Sequence, residues 1–305
     1  MVLLLPFAAA SLFLLQSLLL KRLGGRGQDT LTVHAAYMFL VAAGCLAAWA
    51  LTDSSLQVSP ASIGTGLLYG IDFALTMILY AKALSCGPLS YSSFCFSASM
   101  LIPVAASSVL WGEQLSFLQA IGLVLFLLSF YFILVVDAGR KGASARPEKR
   151  WYGYALGAFV LNGLLSVFGK LQQIAVGGET AAFLGIGFLS AAAVALLAAL
   201  IIAGRKRRTG LAPERVAQRI APWHTPPSSF PWLVIIALAA TTGIGNGLVV
   251  WLTPKLAGAY LFPTVNGSVI VGLLFASRAV YGERLTAAGW TGALIGVAAV
   301  ILVSL

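Results

Sequence analysis

Asp72 stands near the middle of an apolar run, about eleven residues from either end of 61–83. An ionisable side chain at the centre of a membrane costs several kcal/mol, so its presence asks for a reason. Helical spacing puts Tyr69, Asp72, Thr76 and Tyr80 on one stripe, at intervals of 3, 4 and 4. A carboxylate flanked by phenols can bind an ammonium group, accept from a sugar hydroxyl or take up a proton. It can also be a structural aspartate satisfied by neighbouring hydroxyls or a lysine. A second stripe holds Asn162, Ser166, Lys170 and Gln173, at intervals of 4, 4 and 3. Asn162 is deep and is expected to face protein, because an unsatisfied amide in hydrocarbon is costly. Lys170 lies near the end of its run, where it either snorkels to the interface or meets substrate. If both charged residues face one cavity, Asp72 and Lys170 pair in one conformation and separate in another.

Two asparagines complete the candidate set. Asn246 sits in Gly243-Ile244-Gly245-Asn246-Gly247, and Asn266 follows Tyr260 and Pro263. Glycine and proline there mean either a loosened helix whose backbone lines a cavity or close helix packing. The expected substrate contacts are thus Asp72, Tyr80, Asn162, Lys170, Asn246 and Asn266, with Asp72 also the coupling candidate. Ser92, Cys95, Ser99 and Pro103 form a further stripe.

Other chemistries find little support. The only histidines are His34, read as an incidental interfacial residue, and His224, in a long loop. Without a cluster of His, Asp or Glu, neither an enzyme nor a metal or cofactor site is expected. Cys45, Cys86 and Cys95 show no metal-ligand spacing and read as small packing residues. Gly64-x-Gly66-x-x-x-Gly70 lacks the strand–turn–helix setting of a nucleotide loop, and packing accounts for it better. Trp251 reads as an aromatic-belt residue or a stacking surface for a sugar ring. The net charge of +10 invites nucleic acid, but the charges fall in loops, where orientation and anionic lipid headgroups explain them.

The elements that must hold these residues are membrane spans. The chain is 60% hydrophobic and 9% charged, and it supplies ten runs near the roughly 20 residues that a bilayer crossing needs. They cover 2–20, 31–51, 61–83, 89–110, 116–136, 151–173, 180–203, 231–252, 257–280 and 287–304. No cleavable signal is evident: no positive residue precedes the first run, and Lys21-Arg22 follow it. With ten spans, 17 Lys and Arg fall on one side and only Lys170 and Lys255 on the other. The positive-inside rule then puts both termini outside and loops 137–150 and 204–229 in the cytoplasm of a cell (inner) membrane.

The chain also repeats itself. Trp111-Gly112-Glu113-Gln114-Leu115-Ser116 and Tyr281-Gly282-Glu283-Arg284-Leu285-Thr286 stand 170 residues apart, with Gly122 and Gly292 six residues beyond. Lys21 and Lys170 end corresponding runs. Residues 1–137 and 151–305 therefore read as five-span repeats joined by a basic linker, 138–150. Five is odd, so the second copy enters from the opposite side: an all-α integral membrane protein of two inverted five-helix repeats. In the repeated phrase, Gly permits a tight turn, and Ser116 or Thr286 is a natural N-cap, with Gln119 completing a capping box in the first copy. Glu113 and Glu283 read as parts of this turn device, near a positive helix end. Ala288, Gly292 and Gly296 give small residues at four-residue spacing, for packing within the chain or for a homodimer.

These hairpins, the glycine beyond each and the lysine echo resemble the drug/metabolite transporter superfamily in its ten-helix EamA-like branch. The resemblance covers essentially the whole chain. It implies a carrier that moves a small metabolite by alternating access, with a cavity lined by spans 1–4 and 6–9 and with spans 5 and 10 peripheral. The motif speaks for superfamily and not for substrate. Four-helix relatives use an acid in the first span, where this chain has only Gln16. The expected function is a secondary or exchange transporter of a small polar metabolite. A flippase for a lipid-linked sugar is the alternative, with an amine or drug exporter behind it.

Overall fold

The computed structural model describes residues 2–24, 30–52, 57–137, 148–208, 230–282 and 286–304. Glu283, the linker residues 138–147 and loop residues 209–229 lie outside them. The described residues are predominantly helical, with no strand among them. After a short 3-10 turn, Val2–Leu4, come α1 (Leu5–Gly24), α2 (Thr30–Thr52) and α3 (Pro60–Cys86). Then follow α4 (Leu89–Ala98), α5 (Leu101–Trp111), and α6 (Phe117–Phe130), which runs on as a π-helix, Tyr131–Asp137. The remainder are α7 (Lys149–Ala175), α8 (Thr180–Arg208), α9 (Phe230–Leu252), α10 (Gly258–Tyr281) and α11 (Ala287–Ser304). Nine stretches of these described residues are long and apolar enough to cross a membrane, and the last, Ala287–Ala299, is shorter. Outward faces carry Leu, Ile, Val and Phe, such as Val109, Phe117 and Leu294. Such a surface suits hydrocarbon, and the chain is consistent with a multi-pass membrane protein.

Local chemistry sets the helix ends. Ser59 caps α3 by accepting from the Ser62 amide at 3.2 Å, with Pro60 at the first helical position. Gly112 and Gly282 adopt φ of +66° and +64°, which closes α5 and α10 at little cost for glycine. The capping box at α6 forms: Gln119 N donates to Ser116 Oγ at 3.2 Å and Ser116 N to Gln119 Oε1 at 3.1 Å. Thr286 departs from its expected role. Its hydroxyl has no hydrogen-bond partner, and its amide donates to Asp137 Oδ1 at 2.7 Å, so a carboxylate from the end of the π-helix serves the start of α11.

The fourth span is two helices. Pro103 has no N–H to offer and crowds the Ser99 carbonyl, so the regular ladder fails at Ser99-Met100. Three-residue bonds take over there: Ser99 N to Phe96 O, Met100 N to Ser97 O and Ile102 N to Ser99 O, at 3.3, 3.2 and 3.0 Å. By contrast α9 runs unbroken through Gly243–Gly247 and α10 through Pro263. Of the two alternatives weighed for the α9 glycines, the contacts favour close packing: a Cβ at Gly245 would meet the Phe13 ring at 2.7 Å, and one at Gly243 would meet Val41 at 3.0 Å.

Small residues also set the helix crossings. On α3, Gly66 and Gly70 lie against the backbone of α8; a Cβ on Gly70 would stand 1.9 Å from both Gly187 O and Ser190 Oγ. On α11, Gly292 and Gly296 face Ser129 and Ile133 of α6, and Ser129 Oγ donates to Gly292 O at 2.6 Å. The pair of glycines weighed for a homodimer is thus occupied by a contact within the chain. The extensive helix pairs are α2 with α8, α3 with α7 and α8, α6 with α11, and α1 with α9 and α10.

Candidate functional site

Six of the spans frame one cavity. α1 supplies Phe13, Gln16 and Ser17; α3 supplies Tyr69, Phe73 and Tyr80; Phe96 and Ser97 come from α4, just before the break. From the other half come Asn162 and Ser166 on α7, Asn246 and Thr253 on α9, and Phe262 and Asn266 on α10. The space between them is about 880 Å³, with the open solvent at its mouth included. No described residue of α2 or α8 reaches the wall. These two pack on one another and on α3 and α9, so the expectation that spans 2 and 7 line the cavity is corrected. Spans 5 and 10 are also absent from it.

Hydrogen bonds lock much of the polar wall. Tyr69 donates to Asn246 Oδ1 at 2.9 Å, while Asn246 Nδ2 donates back to the Thr242 carbonyl at 2.8 Å. Gln16 Nε2 donates to Thr242 Oγ1 at 2.7 Å, which ties α1 to α9. Asn162 Nδ2 reaches the broken span 4, donating to Phe96 O at 3.2 Å and Ser99 Oγ at 2.6 Å. The deep amide thus satisfies a carbonyl that the break exposes. Tyr80 donates to Ser17 Oγ at 3.3 Å and lies 2.9 Å from Ser93 Oγ.

Of the residues singled out from sequence, Tyr80, Asn162, Asn246 and Asn266 lie on this wall, and Asp72 and Lys170 do not. Asp72 is one residue before Phe73, hence about 100° further round the helix, and Phe73 takes the cavity face. The Asp72 carboxylate is buried, and neither oxygen has a hydrogen-bond partner; the Thr76 hydroxyl, one turn on, is equally unpartnered. The pairing of Asp72 with Lys170 does not occur. Lys170 is engaged elsewhere, so the stripe of Asn162, Ser166 and Lys170 divides after Ser166. The span-4 stripe turns toward α7 and not the cavity: Trp151 Nε1 donates to Ser92 Oγ at 2.9 Å, and Ser99 receives Asn162.

The partner of Lys170 is the finding that sequence reasoning missed. The buried ammonium forms an ion pair with Glu113, donates to Ser107 Oγ at 2.8 Å and lies 4.8 Å from the centre of the Trp111 ring. The other oxygen of Glu113 accepts from the Gly258 amide at 3.0 Å, at the start of α10. The glutamate of the repeated phrase therefore joins α5, α7 and α10, beyond the Gly169 end of the cavity. Its signal was the repetition itself, read too narrowly as a turn. Lys21, the echo of Lys170, donates to Leu84 O and Gly87 O at 2.8 and 3.1 Å, which fits a cation at a helix C-terminus. Trp251 is partly exposed and has the Lys255 ammonium over its ring. Among the described residues no group of three or more His, Cys, Asp or Glu is placed to hold a metal.

No protein-family model and no curated protein matches this chain. Chains of solved structures do match, 22 of them. One, described only as "Crystal structure of protein", superposes with a TM-score of 0.67 over 99% of this chain and 95% of its own, at 18% identity. That likeness establishes a shared fold over the full length and no more.

Proposed function

We propose that this chain is a secondary or exchange carrier for a small polar metabolite, working by alternating access between two inverted five-helix repeats. One observation carries the proposal: a cavity built from both halves, whose apolar and aromatic wall is set with amides and hydroxyls, inside a bundle with an apolar exterior. Such a site between repeats is where carriers of this architecture hold their substrate. The packing supports the repeat reading. Exchanging α1 with α7, α2 with α8, α3 with α9, α4–α5 with α10 and α6 with α11 maps the main contacts onto one another: α3 with α7 becomes α9 with α1, and α3 with α8 becomes α9 with α2. The proposed orientation has both termini outside and the basic loops in the cytoplasm. It requires the α2–α3 and α7–α8 loops to share a side, and Glu179 of the latter accepts from Ser59 N at 3.1 Å and Ser59 Oγ at 3.0 Å.

Asp72 is the proposed coupling group. A charged carboxylate there would lack both hydrogen-bond donor and counter-ion, at a cost of several kcal/mol. As a carboxylic acid it can give and take a proton directly behind Tyr69, which carries the Asn246 contact. The purified protein in liposomes is tested for counterflow of amino acids, sugars, nucleosides, nucleotide sugars and amines. Exchange of at least one above protein-free vesicles is expected, and exchange of none removes the carrier reading. Asp72→Asn should keep exchange and lose accumulation driven by a pH gradient; equal accumulation in that variant ends the coupling role.

A further inference from the structure

We infer that the cavity selects an uncharged solute that joins a flat ring to hydroxyl or N–H donors. The inference rests on the cavity being the transported solute's site and adds the class of that solute. Its first support is charge. None of the described residues lining the space is charged, and the three charged side chains one residue from the wall are withheld: Lys21 by the Leu84 and Gly87 carbonyls, Lys170 by Glu113, and Asp72 by the turn of the helix that gives the cavity face to Phe73. A phosphate ester, a polyamine or an amino acid would shed its hydration here without meeting a counter-charge, which costs more than hydroxyl contacts return.

The second support is the direction of the amides. Asn162, Asn246 and Asn266 each donate Nδ2 to a main-chain carbonyl, of Phe96, Thr242 and Phe262 respectively. Turning any of these amides over would set oxygen against oxygen, so the carbonyls fix which end faces outward. Asn246 spends its oxygen on Tyr69. Among the described residues, none donates to the oxygens of Asn162 and Asn266. The cavity therefore offers acceptors from two helices, α7 and α10, and asks its ligand for donors. Between them stand aromatic faces, with Tyr80 and Phe96 stacked at 4.1 Å between ring centres, suited to a flat apolar body.

Matched ligands that differ only in charge test this on the full chain in detergent. Tyrosol, tyramine and tyrosine share one phenol ring with a hydroxyl, ammonium or zwitterionic tail; uridine and its 5′-monophosphate form the second set. Tyrosol or uridine, or both, should raise the melting temperature and bind at least about tenfold more tightly than their charged counterparts. Uridine alone would mark a nucleoside-type ligand, tyrosol alone a simple aryl alcohol. A charged member that binds as tightly as its neutral partner, or no binding by either neutral ligand, overturns the class. Asn266→Leu should weaken the neutral ligand by about tenfold. Asn266→Asp, in the same position, should turn the preference toward tyramine, and an unchanged ranking in both variants removes the residue from the site. Counterflow of the bound ligand separates the two readings. Binding without exchange fails the carrier and keeps the class, whereas exchange of a charged ligand does the reverse.

Discussion

Glu113→Gln is expected to cost about 3 kcal/mol of stability and to abolish uptake, because it strands the Lys170 ammonium in the interior. Lys170 is almost wholly buried, with its side chain 3% exposed, while that of Glu113 is 28% exposed. The two halves of the pair are therefore not equivalent. Losing Glu113 leaves a cation with only Ser107 and the Trp111 ring for company. Losing Lys170 leaves a carboxylate that retains the Gly258 amide and some access to water. Lys170→Met should cost less than Glu113→Gln, and the double substitution should recover part of the loss, as expected for groups in direct contact. Unfolding in detergent measures all three. Equal losses in both single variants, with no recovery in the double, would show that the pair contributes by packing alone. The contact also links α5, α7 and α10 at one end of the cavity, so under the proposed alternating access it must part for that end to open. Variants that weaken it should favour the state open on that side, read as faster labelling of a cysteine placed at Thr253.

The second large effect is steric. Gly70→Ala would place a methyl carbon 1.9 Å from the Gly187 carbonyl oxygen and from Ser190 Oγ. The nearest obstacle is backbone, which cannot rotate aside as a side chain can. Helices α3 and α8 would have to separate along their whole crossing, and a loss of about 3 kcal/mol or more is expected. Gly64→Ala is the control on the same helix, with open space where its Cβ would go. It should be neutral or stabilising by up to about 1 kcal/mol, because alanine holds a helix better than glycine. Melting temperatures of the two variants settle the comparison; a Gly70 variant as stable as the Gly64 variant would mean that the crossing is looser than these distances state.

The framework was legible in the sequence because it rests on run length and on local turn chemistry. The apolar runs match helices to within a few residues, except that the fourth holds two, α4 and α5, and the Ser116 capping box forms as its spacing demands. The side-chain partnerships were less legible. A stripe drawn at intervals of three and four spans a wide arc of helix, and the cavity uses one edge of it: Tyr69 and Tyr80 fall inside, Asp72 outside. Which edge faces inward depends on neighbours far along the chain, such as Gly187 against Gly70. The Glu113–Lys170 pair crosses 57 residues of sequence, and nothing local to either residue announces it. Nothing local to Gln16 points to a partner, yet it lies on the cavity wall and ties α1 to α9.

The cavity draws on six spans and leaves four out of its wall. α2, α8, α6 and α11 pack on one another or on their neighbours, through close glycine and serine contacts and through rings such as Phe183 and Phe188 of α8 against Tyr69 and Phe73. Selection can therefore act on the two groups separately. On the proposed carrier function, a lineage that changes its cargo can rewrite Asn162, Asn266 or Phe96 without disturbing Gly70 against Gly187 or Ser129 against Gly292. One inherited frame can thus pass through many diets, and the record of the change would be confined to the faces of α1, α3, α4, α7, α9 and α10.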